Sequence, residues 1–344
     1  MRILNDVISK TGSEKAKMLL GCLLYNKRHY EKAAELWEDC SDYISLRNRA
    51  VAYFSHLNRE KEALTLMKKA IEQNSLSEQL IYETVVLMDK LSVSAKEKID
   101  FLKSHKITRD DCITELAKAY NQNFEPEKAI ETLLSRNFVP CEGGEHAIAD
   151  QYLNAFMAIG RKELNCGNTE KALEAFKKGQ ILPQSLGAGL WNHCKLVPLK
   201  YFEALCLKKT GKTDEAKEIF RYIAEIEIEY FSNMHLKELP YFQACAFEHL
   251  GEHIKAVKII TKYKREWSKI INAVDNGFFS TTPFFISFTD DPKKLRKAEY
   301  LYLLSLNFDF EGEKEKAQKS ILESLKLNFE NLPALNFKKF GFLS

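Results

Sequence analysis

Residues 160–183, GRKELNCGNTEKALEAFKKGQILP, decide how the rest of the chain is read. Counted on a 34-residue helix–turn–helix period, Gly160 takes position 8, Gly167 position 15, Ala172 position 20, Phe176 position 24 and Gly179 position 27. Gly160, Ala172 and Gly179 are the small residues needed where two antiparallel helices come closest. Gly167 ends the first helix, because the residue just past a helix commonly takes a left-handed backbone. Phe176 is sized to fill the space between one helix pair and the next.

The same spacing extends in both directions. With the position-20 alanine as ruler, repeats are centred on Ala33, Ala63, Ala95, Ala129, Ala172, Ala216, Ala256 and Ala317. Gly21, Trp37 and Cys40 stand at positions 8, 24 and 27 of the first repeat. Asn58 makes the turn of the second, Leu91-Ser92 that of the degenerate third, and Pro126 opens the second helix of the fourth. Gly211, Gly251 and Gly312 are the turn residues of repeats six to eight. The tail, NFENLPALNFKKFGFLS, supplies a capping helix from near Pro333 that covers the last apolar face. No strand pattern emerges, and Phe284–Phe288 is bracketed as a loop by Pro283 and Pro292. Four connections are long, at 137–148, 181–192, 231–239 and 275–292, each joining one repeat to the next.

This pattern resembles a tetratricopeptide repeat (TPR) array. The resemblance implies an all-α fold, a right-handed α-solenoid of about eight TPR-like helix pairs with a C-terminal capping helix. Residues 1–344 are expected to form a single superhelix, compact over 1–137 and carrying long edge loops over 138–344. YNKRHYEKAAELW (25–37), SRNFVPCEGGE (135–145), LPQSLGAG (182–189) and FTDDPKKLRKAEYLYLLSL (288–306) narrow the resemblance. Together they look like the TPR half of a bacterial family of unknown function, whose longer members join a galactose-mutarotase-like β-sandwich to such an array. This sequence departs from those members in having no all-β pattern ahead of the repeats, so no sugar chemistry is carried over.

Composition excludes several classes. The 51 basic and 48 acidic residues leave a net charge of +3, too balanced to predict nucleic-acid binding. The richest basic run, Lys293–Lys297, reads as a solvated helix face. No stretch approaches the ~18 apolar residues of a membrane span. Eight cysteines without a Cys-x-x-Cys pair, and a start without a secretory pattern, point to the cytoplasm.

Motifs for chemistry are weak. His249-Leu-Gly-Glu-His253 matches a zinc-protease pattern, but Gly251 is a turn residue, so the histidines fall on two helices and no metal is expected. His193-Cys194 lacks an orienting carboxylate or an oxyanion hole. No catalytic residue and no cofactor are assigned. Tyr201, Tyr241 and Tyr302 share position 5 of repeats six to eight, either as a ladder on the inner face or as packing between first helices. With Glu142, Glu145 and Trp191 on the edge loops, they are the candidate partner-binding residues. The chaperone-tail clamp of some TPR proteins is disfavoured, since Met18 and Cys22 hold its places. The expected role is a non-catalytic scaffold for a protein or peptide. The alternative is an accessory module for carbohydrate processing.

Overall fold

The computed structural model describes residues 1–139, 145–187, 193–227, 236–271, 273 and 287–342. Among these no strand is found, and every regular element is helical. The helices are α1 (Arg2–Thr11), α2 (Glu14–Asn26), α3 (Tyr30–Glu38), α4 (Tyr43–Ser55), α5 (Glu60–Gln73), α6 (Glu78–Lys90), α7 (Ala95–Lys103), α8 (Asp110–Gln122) and α9 (Pro126–Leu134). They continue as α10 (Glu145–Asn165), α11 (Thr169–Gly179), α12 (Val197–Lys209), α13 (Thr213–Glu225), α14 (Leu239–His249), α15 (His253–Ile271), α16 (Pro292–Phe310), α17 (Lys314–Leu327) and α18 (Leu332–Phe340). Within each unit the helices form successive helix–turn–helix pairs, with sequence neighbours packed on each other from α2 to α7 and from α9 to α17, a TPR-like α-solenoid pattern. No described helix is long and apolar enough to cross a membrane.

Two units divide the chain, Met1–Glu115 with the described residues of Asp275–Asp291, and Leu116–Val274 with Pro292–Ser344. In the first, residues 287–291 lie against its own helices. Phe288 meets Phe54 edge-on at 5.7 Å, the Thr289 backbone N–H donates to Ser55 Oγ at 3.1 Å, and Asp290 pairs with Lys90 at 2.5 Å. In the second, α10, α12, α14 and α16 are the first helices of consecutive pairs and pack one on the next.

Small residues set the closeness of each pair. Ala33, Ala63, Ala129, Ala172, Ala216, Ala256 and Ala317 are each the fourth residue of a second helix and are at most 1% exposed. A Cβ on Gly21 would come within 2.3 Å of the Trp37 ring, and one on Gly160 within 2.3 Å of the Phe176 ring. Positions 8 and 24 therefore close against each other inside one pair, and Phe176 also stacks on Phe202 of the next pair at 5.3 Å.

The third repeat corrects the alanine ruler. Ala95 is the first residue of α7, not the fourth; the fourth is Lys98, buried and paired with Asp89 of α6. The cause is local. Ser92 takes the left-handed turn conformation at φ 54, but Val93 then separates it from the N-cap Ser94, one residue more than in the turn of the first repeat. Ser94 and Glu97 form a capping box that fixes this later start. A lysine thus stands where the other pairs hold alanine, and its ammonium is neutralised inside the seam.

Candidate functional site

A cavity of about 400 Å³ opens among the first helices of the second unit. That volume is in the range of small-ligand pockets. Asp150, Leu153, Asn154, Met157 and Arg161 reach it from α10, spaced so that they share one helical face. Lys195 and Phe202 border it from the α12 region, Glu238 and Phe242 from the start of α14, and Glu299 and Tyr302 from α16. The last wall is α18, through Pro333, Asn336 and Phe337.

The position of α18 goes further than capping. Its start is set by Asn331, whose side chain accepts from the Ala334 N–H at 3.0 Å, with Pro333 in the first turn. It packs against its sequence neighbour α17 and also against α10. Asn165 donates to the Phe340 carbonyl at 3.3 Å, and Arg161 donates to the carbonyl of Gly341. Phe340 meets Phe124 edge-on at 6.0 Å. Phe337 lies 6.2 Å from the rings of both Tyr241 and Tyr302. The tail therefore folds back over the first helices of its own unit.

Polar groups in the cavity fall into two sets. Lys195 pairs with Asp150 at 2.7 and 2.9 Å, and Lys237 with Glu299 at 2.5 Å. Arg161 and Glu238 make no ion pair among the described residues. Arg161 is 4% exposed, with its guanidinium 5.0 Å from the Phe202 ring and 4.8 Å from that of Phe337. Burial pulls its pKa down to about 10, against the opposing influence of Tyr241, Tyr302 and Asp309, so it stays charged at neutral pH. Burial raises the Glu238 carboxyl above the usual carboxylate range, and the neighbouring Glu299 adds to the rise. The Tyr302 hydroxyl is influenced by both Glu238 and Arg161, yet is buried without a hydrogen bond of good geometry.

The expected site residues are distributed unevenly. Tyr201 and Tyr241 are buried between first helices, and each packs edge-on or tilted against Phe242 at 5.5 Å. Tyr241 donates to Asp309 at 2.7 Å. Of the three tyrosines, Tyr302 is the one that lines the cavity. Glu142 and Trp191 lie outside the described residues, as do the middles of the four long connections. Glu145 begins α10, and its side chain is outside the description, as is that of His193.

His249 ends α14 and His253 begins α15, with Gly251 at φ 79 between them. His249 Nε2 is 3.2 Å from the Tyr201 hydroxyl, while His253 Nδ1 is 2.6 Å from Glu248. The two imidazoles thus serve separate contacts. Arg161 and Glu238 were not singled out in the sequence. The signal for Arg161 was the polar–apolar mixture at helical spacing along 150–161, which departs from the apolar face expected of a first helix.

Among solved structures, a tetratricopeptide repeat protein from Parabacteroides merdae shares 16% identity at a TM-score of 0.43, over 87% of this chain and 98% of that one. A chain in the structure of Naa15/Naa10 bound to HypK-THB shares 14% at 0.45, over 97% of this chain and 61% of its own. The P58(IPK) TPR domain shares 13% at 0.25, over 95% and 97%. No protein-family model matches the chain. No residue role is transferred from these structures.

Proposed function

We propose that the chain is a non-catalytic binding scaffold, and that its second unit receives a protein or peptide partner along the first-helix face. The observation that carries this reading is the cavity itself. Four consecutive first helices turn one face each toward a shared space walled by Met157, Phe202 and Phe242. Extended or helical segments dock on such faces through a few apolar anchors. Tyr302 would touch the partner directly, with Tyr201 and Tyr241 shaping the floor beneath it. Glu142 and Trp191, in the connections between repeats, and Glu145 at the start of α10 would close one edge.

Affinity capture from the native cell at mild salt, followed by cross-linking, tests the proposal. Cross-links should fall on α10, α12, α14 and α16, and Met157→Lys should remove the partner while the variant stays folded. Cross-links confined to α2–α7 would overturn it. Saturable sugar binding by the purified chain, with no protein captured, would favour the carbohydrate-accessory alternative.

A further inference from the structure

The cavity has a polarity of its own, independent of any docked protein. Once Asp150–Lys195 and Glu299–Lys237 are set aside as closed pairs, one cation and one anion remain on its walls, Arg161 and Glu238. Charges shielded from water are costly unless a partner neutralises them. Arg161 has the Gly341 carbonyl and aromatic faces around it, which satisfy part of its donor set but supply no formal negative charge within hydrogen-bond reach. Glu238, half-buried beside Tyr302, has no cation bonded to it.

Tyr302 supplies the second, independent observation. It is 2% exposed, its ring lines the cavity, and its hydroxyl makes no hydrogen bond of good geometry, although the Glu238 carboxyl is close enough to act on it. A buried hydroxyl loses free energy when left unmatched. It is also a group on which both Arg161 and Glu238 act. Apart from Asn154 and Asn336, the remaining wall is apolar and partly aromatic, with Leu153, Met157, Leu199, Phe202, Phe242 and Phe337.

We propose that this cavity binds an apolar zwitterion of amino-acid to dipeptide size, its carboxylate at Arg161, its ammonium at Glu238 and its side chains against the aromatic wall. Each charge on the ligand completes a wall charge, and the Tyr302 hydroxyl gains a polar partner. An anion alone would leave Glu238 unmatched, and a cation alone would leave Arg161 unmatched. Because Pro333, Asn336 and Phe337 form one wall, the ligand also fastens α18 to α10.

Titration calorimetry on the full chain tests this, with L-phenylalanine and the dipeptide Leu-Phe as probes beside N-acetylated, C-amidated and doubly blocked Leu-Phe. At least one free zwitterion should bind one to one and slow hydrogen exchange in α18. Blocking either end of Leu-Phe should weaken binding at least tenfold, and blocking both should abolish it. Glu238→Gln should weaken Leu-Phe tenfold while leaving the N-acetyl form unchanged, and Arg161→Gln should do the converse for the amide. Should Arg161→Gln fail to fold, Glu238→Gln decides alone, since Glu238 holds no structural ion pair. Absence of binding by both free zwitterions at millimolar concentration overturns the proposal. So does equal binding of the blocked forms, or indifference to Glu238→Gln.

Discussion

The two units repeat one pattern of helix pairs but bury their polar groups differently. In the first, buried charge closes a seam: Lys98 occupies the alanine position and is neutralised by Asp89. Nearby, Arg47 of α4 grips Glu83 of α6 with two bonds of 2.7 Å, joining the second pair to the third. In the second, Arg161, Glu238 and Tyr302 border a space instead of filling one. A pair of opposite charges in contact adds rigidity to a solenoid. The same kind of charges held apart around a cavity leaves bonding capacity for something else. Shared chemistry persists alongside this difference. His56 and His249 each stand two residues before a left-handed turn residue, Asn58 and Gly251. Each bonds a tyrosine of the preceding pair, Tyr25 at 3.0 Å and Tyr201 at 3.2 Å, and each stacks on an aromatic ring.

The largest expected effect lies in the closed seam. Lys98→Ala restores the common residue but removes the ammonium that neutralises the buried Asp89 carboxylate, and breaking such a buried pair costs about 3–5 kcal/mol. Lys98→Ala combined with Asp89→Leu should recover most of that loss, since an apolar pair needs no neutralisation. Urea unfolding, with hydrogen exchange in α6 and α7 to localise the change, reads both. If the single variant were as stable as the parent, the contrast between the units would lose its first half.

The histidines sharpen the comparison through pH. Burial and the adjacent Lys208 lower the His249 pKa to about 4, with Glu248 opposing, and burial alone lowers that of His56. The unfolded chain, with histidine near its ordinary value, then binds more protons than the folded one between about pH 4 and 6.5. Stability rises with pH across that window and is lost as pH falls through it. Allowing for partial exposure, His249 contributes about 1–2 kcal/mol of that loss. His249→Gln should flatten the pH dependence of unfolding, and His56→Gln should do so less, because no lysine faces His56. An unchanged slope in His249→Gln would show that its imidazole is not held neutral.

Much of this was legible in sequence because the repeat positions are dictated by contact. Gly160 under Phe176, Gly21 under Trp37 and the buried alanines each follow from how near two helices must come. The third repeat was misread by three residues because Ala95 mimics the ruler, whereas the single inserted residue at Val93 is visible only once the capping box is seen. The site was less legible. Tyr302 was found because its position recurs, but Arg161 and Glu238 belong to no recurring position. Their shared cavity depends on α18 folding back to α10, and a contact between residues so far apart leaves no periodicity to read.

The smallest expected effect concerns the turns, and it isolates backbone from packing. Inside its helix pairs the first unit makes its left-handed turns with Arg28, Asn58 and Ser92, at φ 52 to 62, and uses glycine only at Gly12 after α1, at φ 63. The second uses Gly167, Gly211, Gly251 and Gly312 at φ 77 to 84, besides Phe124 at φ 56. A Cβ added at any of those four glycines would meet nothing within 4 Å. Any penalty for Gly251→Ala therefore comes from the backbone alone, about 1 kcal/mol for an L-residue held left-handed. In the other direction, Ser92→Gly relieves that strain but gives the unfolded chain more freedom, so the two terms oppose and the net gain should stay under about 1 kcal/mol. Asn58→Gly should gain least, because asparagine already tolerates this region. Urea midpoints at unchanged slope measure all three. An unaffected Gly251→Ala would mean that the turn can relax, and glycine would then not be what distinguishes the turns of the second unit.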